Sequence, residues 1–219
     1  MLVRNYMSTN PVTITRKTTV ADALDLMRRH NVRRLPVMEN NELVGIVTDR
    51  DLREISPSPA TSLSIFELNY LLAKAKIGDF LPKRQKVHVI DADAYIEEAA
   101  LLMREHKVGA LPVTSNGELV GIITETNIFD AFIEIMGLKE EGCRISLEAE
   151  DQPGVLADIA QVIGTLGSNI SRIAVFRNGG PKAKVVLRIK TSDGTDIVEK
   201  LKEHGYKILA VNSYEEFRP

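Results

Sequence analysis

Two hydrophobic rhythms alternate along this chain of 219 residues. Val20-Ala21-Asp22-Ala23-Leu24-Asp25-Leu26-Met27 places apolar residues three and four apart, as does the stretch from Ile96 through Met103, and both predict helices. Val12-Thr13-Ile14 and Val87-His88-Val89 alternate instead and predict short strands. Next come Asn31-Val32-Arg33-Arg34-Leu35-Pro36-Val37 and Lys107-Val108-Gly109-Ala110-Leu111-Pro112-Val113. In each, the proline forces its predecessor to be extended and denies a strand ladder one N–H. Asn40-Asn41 and Asn116-Gly117 read as hairpin turns into Leu43-Val44-Gly45-Ile46-Val47 and Leu119-Val120-Gly121-Ile122-Ile123. The succession strand, helix, strand, hairpin turn, strand, helix therefore occurs twice, over 12–52 and 87–128, with one extra residue in the second copy. A unit of about fifty residues buries little core alone, so the two copies are expected to pack together.

The repeated unit ends in a motif. Gly45-Ile46-Val47-Thr48-Asp49-Arg50-Asp51 returns 76 positions later as Gly121-Ile122-Ile123-Thr124-Glu125-Thr126-Asn127. A threonine followed three residues on by Asp or Asn suits a helix start, where side-chain oxygens cap free N–H groups. The same pair could instead face a cleft, the hydroxyl and the helix N–H groups meeting a phosphate and the carboxylate a ribose diol. Both readings stay open on the sequence.

Around the copies the chain is less regular. Ile77-Gly78-Asp79-Phe80-Leu81 echoes Val3-Arg4-Asn5-Tyr6-Met7, and each is expected to be the short lead-in of its own unit. Ser56-Pro57-Ser58-Pro59-Ala60-Thr61-Ser62 has the composition of a surface loop, and Ser64-Ile65-Phe66-Glu67 fits a capping box opening a helix to about Lys74. Phe129 to Met136 completes the last helix of the second copy, with Gly137 as its C-cap, and Lys139-Glu140-Glu141-Gly142 reads as a hinge. Beyond it Cys143 to Ala149 alternates as a strand, Asp151-Gln152-Pro153-Gly154 turns, and Val155 to Ile163 is an amphipathic helix. Strands at Ile170 to Phe176 and Ala183 to Lys190, a helix from Asp193 to His204 and a strand from Lys207 to Val211 follow. The order βαββαβ describes a ferredoxin-like sandwich.

On these residues, positions 1 to about 135 resemble a tandem pair of CBS domains, a Bateman module. The marks are the Gly-hydrophobic-hydrophobic-Thr-x-x-Asp stretch and the hydrophobic-x-hydrophobic-Pro strand, both recurring at matching spacing, with Asn127 in place of the Asp in the second copy. Residues 143–214 resemble an ACT domain through Asp151-Gln152-Pro153-Gly154-Val155-Leu156. With Ser64-Ile65-Phe66-Glu67-Leu68-Asn69-Tyr70-Leu71-Leu72 between the copies, the order is similar to bacterial acetoin-utilisation proteins of the AcuB type. The expected fold is α/β (α+β), a CBS pair of βαββα repeats followed by the βαββαβ domain. Expected boundaries are 1–55 for the first CBS domain, 56–76 for a linker and connecting helix, and 77–137 for the second CBS domain. A hinge at 138–142 then leads to an ACT domain over 143–219.

The resemblance implies an adenine nucleotide (AMP, ADP or ATP) in the CBS cleft, with S-adenosylmethionine the lesser expectation. Asp51 would hold ribose hydroxyls and Thr48 a phosphate oxygen, while the backbone around Thr13 and Val32-Arg33-Arg34-Leu35-Pro36 would sandwich the base. Arg33, Arg34 and Arg50 flank these residues and would favour a polyphosphate. A second, weaker site would use His88, Val108, Gly109, Ala110, Leu111, Pro112, Thr124 and Asn127. It is weaker because Asn127 offers one acceptor oxygen where a carboxylate has two, and because Glu125 would repel an anion. An amino-acid effector at the ACT domain would use Asp151, Gly154, Val155, Leu156 and Asn169, with Asp151 equally readable as a helix N-cap.

Composition narrows the rest. A net charge of −2 without a polybasic tail gives nucleic-acid binding no electrostatic support. No apolar run approaches the roughly 20 residues that cross a bilayer, and the N-terminus lacks a signal-peptide core, so no membrane partner and a cytoplasmic location are expected. Cys143 is the only cysteine, which excludes an intramolecular disulfide or a cysteine zinc cluster. His30, His88, His106 and His204 lack metal-ligand spacing, and neither a nucleophile elbow nor a Walker loop occurs. The expectation is a non-catalytic, homodimeric ligand sensor that needs no cofactor. The alternative is a structural adaptor that docks on a metabolic enzyme without binding a ligand.

Overall fold

The computed structural model describes residues 1–55, 64, 73–83 and 85–214. The expected loop over 56–62, and residues 65–72 of the helix expected after it, lie outside the described residues. The chain divides into two compact units, Met1–Ile128 and Phe129–Pro219.

The first unit holds both copies. After β1 (Ser8–Thr9), the first copy runs α1 (Val20–Arg29), β2 (Arg34–Glu39), β3 (Glu42–Thr48) and α2 (Asp49–Ile55). A short α3 (Ile77–Phe80) leads to β4 (Ile90–Asp91), α4 (Ile96–His106), β5 (Ala110–Ser115), β6 (Glu118–Thr124) and α5 (Glu125–Ile135). Thr19 starts α1 by accepting the Asp22 N–H at 3.1 Å. Both hairpins turn through paired positive φ angles, 49° and 66° at Asn40-Asn41 and 52° and 84° at Asn116-Gly117. Asn and Gly tolerate that geometry, and it matches the strand twist. Leu35 faces Val47 across one hairpin and Leu111 faces Ile123 across the other; all four are core residues.

Two expectations are corrected here. The lead strand is shorter than its alternation suggested: Ile14 alone bridges Val37, and β4 pairs Ile90 with Val113, both in parallel. Ile14 and Ile90 are therefore equivalent and the spacing stays at 76 without an extra residue. His88 thus matches Val12 rather than Thr13. Nor do the lead-in segments serve their own copies. Val3 and Arg4 donate their N–H groups to the carbonyls of Ala94 and Ala92 in the second copy, at 2.9 and 3.0 Å. Ile77 and Gly78 donate to Thr18 and Arg16 in the first, at 2.9 and 2.8 Å. Ile77 and Leu81 complete the first copy's core with Val20, Met27, Leu35 and Leu52.

This exchange explains the glycine that opens each repeated motif. A Cβ at Gly45 would lie 2.6 Å from Leu81 Cδ2, and one at Gly121 would lie 2.6 Å from Met7 Sδ. Each glycine leaves room for the lead-in that crosses from the other copy. The two crossings differ in one respect. β1 continues the second copy's sheet by pairing with β6, so that sheet has the order β1-β6-β5-β4. On the first copy's edge the Gln85 side chain accepts the Ile46 N–H at 2.8 Å instead.

The second unit is the expected sandwich: β7 (Gly142–Glu150), α6 (Val155–Thr165), β8 (Ile170–Arg177), β9 (Lys182–Ile189), α7 (Thr195–Glu203) and β10 (Lys207–Tyr214). Its antiparallel sheet has the order β10-β7-β9-β8. Cys143, Ile145 and Leu147 on β7 and Leu187 and Ile189 on β9 bury one face against Ile159, Ile163 and Leu201 of the helices. Residues of β7 and β9 between these point to the other face. Helix α5 ends at Ile135, and Gly137, φ +63°, follows it. There Leu138 donates to the Ile133 carbonyl and Gly137 to that of Glu134, the paired bonds of a Schellman cap.

Candidate ligand cleft between the repeats

Both hairpins deliver their strand starts to one cleft of about 840 Å³. From the first copy come Arg33, Arg34, Ile46, Thr48, Asp49, Arg50, Arg53 and Glu54; from the second come Lys107, Val108, Gly109 and Ala110. Asp49 donates its N–H to the Arg33 carbonyl at 2.9 Å, and Glu125 donates to that of Gly109 at 3.1 Å. Each motif is thereby tied to the loop that precedes the proline strand of its own copy.

The cleft is cationic. Arg50 is held by Glu54 at 2.8 Å and Arg53 by Asp49 at 2.9 Å. Arg33, Arg34 and Lys107 have no hydrogen bond or ion pair through their side chains among the described residues. Gly109 gives Arg34 its place, because a side chain there would overlap the guanidinium. Lys107 sits in the left-handed region, φ +54°, where Asn31 of the first copy has φ +51°. Asparagine tolerates that conformation, whereas for lysine it costs about 1–2 kcal/mol.

The Thr-x-x-Asp pair closes on itself. Thr48 donates its N–H and its hydroxyl to Asp51 Oδ2, both at 2.8 Å, and accepts the Asp51 N–H at 3.2 Å. Asn127 Oδ1 accepts the same two groups of Thr124 at 2.8 Å. The capping reading therefore describes both copies. Asp51, expected at the ribose, is exposed outside the lining of the cleft, and its Oδ1 has no partner among the described residues.

Of the residues expected at the first site, Arg33, Arg34, Thr48 and Arg50 line the cleft. Val32 instead lines an adjoining cavity of about 460 Å³ that shares Arg33, Asp49 and Arg53 with it. Leu35 and Pro36 are buried, and Thr13 is exposed outside the lining. Val108, Gly109 and Ala110, expected at a second site, line this same cleft. Leu111 and Pro112 are buried, and Thr124 and Asn127 are half-buried outside the lining. His88 stacks on His106, with ring centroids 3.6 Å apart. Ile46, Asp49, Arg53, Glu54 and Lys107 line the cleft in addition to the residues expected there. The charged run Asp49 to Glu54 at helical spacing was the available signal for Asp49, Arg53 and Glu54.

The ACT residues are less gathered. Asp151 receives Arg177 Nε on both oxygens, at 3.0 and 2.8 Å, and the N-cap of α6 is Gly154, φ +93°, rather than Asp151. Gly154 and Leu156 are exposed and Val155 is half-buried. Asn169 lies at the other end of the sheet: its carbonyl accepts the Lys190 N–H, beside the Cys143–Ile189 pair, whereas Asp151 follows the Glu150–Lys182 pair.

Paired βαββα repeats around a cation-lined cleft, followed by a βαββαβ sandwich, match two domain families in turn. The CBS domain model matches residues 3–58 and 77–134, and the ACT domain model matches residues 144–214. The chain belongs to the CBS-domain family and carries an ACT domain after its CBS pair. It is 34% identical over 138 residues to CBS domain-containing protein DDB_G0289609 of Dictyostelium discoideum, covering 62% of this chain and 94% of that one. A Vibrio cholerae structure described as an acetoin utilization protein (AcuB) is 29% identical with a TM-score of 0.50, over 63% of this chain and 94% of that one. CBSX2, solved in complex with AMP, is 32% identical with a TM-score of 0.49, over 62% and 98%. Inosine-5′-monophosphate dehydrogenase of Staphylococcus haemolyticus also matches, but this chain spans only 23% of its length. Among the described residues no helix is long and apolar enough to cross a membrane.

Proposed function

We propose that this protein is a non-catalytic sensor whose CBS cleft binds an adenine nucleotide with more than one phosphate. The observation that carries this reading is the trio Arg33, Arg34 and Lys107, cations without partners among the described residues, lining one cleft with Thr48. Guanidinium forks suit phosphate oxygens, and each added phosphate meets a further unpaired cation. Asp51, beside Thr48 but outside the lining, keeps Oδ1 free among the described residues for a ribose hydroxyl. Calorimetric titration with AMP, ADP, ATP and S-adenosylmethionine tests the proposal. ATP and ADP should bind more tightly than AMP, with an affinity that falls as salt rises; absence of binding by all four would remove it.

The homodimer and the amino-acid effector belong to the same proposal, as does a role in acetoin metabolism, for which the Vibrio cholerae likeness is the support. Asp151–Gly154 and Asn169 lie at opposite ends of one sheet, so a site that uses both needs a second chain. Sedimentation that gives a monomer would count against it. Co-purification with a metabolic enzyme, together with a melting temperature that no nucleotide shifts, would mark the adaptor instead.

A further inference from the structure

A row of three arginines crosses the sheet of the second unit on the face away from its helices. Arg144 of β7 stands opposite Arg188 of β9, which stands opposite Arg172 of β8. Like charges directly opposite one another destabilise a sheet, so such a row calls for an anion. Glu140 supplies part of the answer by holding Arg172 Nη2 at 2.8 Å through Oε1. Arg144 has no ion pair or side-chain hydrogen bond among the described residues. Arg188 is 8% exposed and has an interaction of its own, which leaves Arg144 as the member of the row open to a ligand.

The row floors a cavity of about 300 Å³, roofed by the end of α5 and the turn after it. Phe132, Ile135, Met136 and Leu138 supply the roof, and Ile173 and Val186 add apolar floor. Gly137 brings that turn down onto the row: a Cβ there would lie 3.1 Å from Arg172 Cγ and 3.2 Å from Arg188 Cδ. Phe132 remains 54% exposed and Ile173 44%, so the apolar lining is not consumed by the fold. Two buried polar atoms beside the cavity also lack partners. One is Glu140 Oε2; the other is the hydroxyl of Ser146, which is 1% exposed and stands opposite Val186.

We propose that this cavity binds a small carboxylic acid with an apolar body, its carboxylate on Arg144 and its hydrocarbon beneath Phe132, Ile135 and Leu138. A carboxylate matches the guanidinium fork in two parallel hydrogen bonds, and the volume is at the small end of ligand cavities. The apolar roof distinguishes this ligand from a free phosphate, which would leave those side chains wet. The proposal is independent of the nucleotide cleft, because no residue is shared.

Calorimetry on the full chain with octanoate, 1-octanol and inorganic phosphate tests it. Octanoate should bind saturably, with octanol and phosphate at least tenfold weaker. Arg144→Gln should weaken octanoate at least tenfold and Arg144→Lys less, with the melting temperature unchanged in both. Octanol or phosphate binding as well as octanoate would overturn the proposal, as would full octanoate affinity in Arg144→Gln. Absence of saturable octanoate binding, with a dimer that Phe132→Asp converts to monomer, would show a second chain covering this face and would equally overturn it.

Discussion

Arg34 of the first repeat lays its guanidinium on Gly109 of the second, in the place that a side chain at 109 would fill. The contact joins the two copies at the mouth of the cleft, where one repeat supplies the charge and the other the space. A larger residue at 109 meets the far ends of two flexible side chains, Arg34 and Glu125. Gly109→Val should therefore leave the melting temperature within a few degrees while swinging Arg34 away. Loss of one charge-assisted contact costs about 1.5–3 kcal/mol, so ATP affinity should fall about tenfold or more. Unchanged affinity by calorimetry would show that Arg34 does not touch the ligand.

Asp51 and Asn127 cap their helices alike but differ in charge. Asp51→Ala and Asn127→Ala should each cost about 1 kcal/mol in urea unfolding. Asp51→Ala should in addition reduce nucleotide affinity beyond any effect of Asn127→Ala. Equal affinities in the two variants would reduce Asp51 to a cap.

Lys107 occupies a left-handed conformation that glycine adopts freely. Lys107→Gly should raise stability by up to about 1 kcal/mol through relief of that conformation. It should also weaken ATP more than AMP, because a cation leaves the cleft. Stability bought at the expense of affinity is the signature of strain kept at a functional position. A variant with parental affinity would exclude Lys107 from phosphate binding.

His88 is held below the usual imidazole range of 6.5 by burial first, then by His106 and Lys86. As pH falls through 6.5 the unfolded chain takes up a proton that the folded chain resists, so stability declines on acidification. Melting temperatures between about pH 7.5 and about pH 5.5 should show this fall, and His88→Asn should flatten it. An identical slope in the variant would place the acid sensitivity elsewhere.

Much of the fold was legible because each local signal had its own chemistry. Pro36 and Pro112 marked extended strands, Asn40-Asn41 and Asn116-Gly117 marked the turns, and the alternation of Cys143 to Ala149 gave the first strand of the sandwich. The lead-ins were not legible in the same way. The likeness of Val3–Met7 to Ile77–Leu81 shows that they are equivalent, but the choice of partner is tertiary and leaves no local mark. The register of Val12-Thr13-Ile14 slipped for a related reason, since Ile14 is placed by Val37 on a distant strand. At the cleft, Arg33, Arg34, Thr48 and Arg50 were readable from the motif. Lys107 was not, because its position across from Arg34 depends on how the copies pack.

The crossing of the lead-ins makes each repeat the custodian of the other's beginning. Val3 is wholly buried on residues that follow it by some ninety positions, and Ile77 fills a core laid down before it in synthesis. A ribosome that has released only the first copy has therefore released a fragment with a hole where Ile77 and Leu81 belong. Two polypeptides broken within 56–72 should remain unfolded apart and assemble when mixed, which circular dichroism would follow. What the sequence presents as two tandem modules is, as a heritable and translatable object, indivisible.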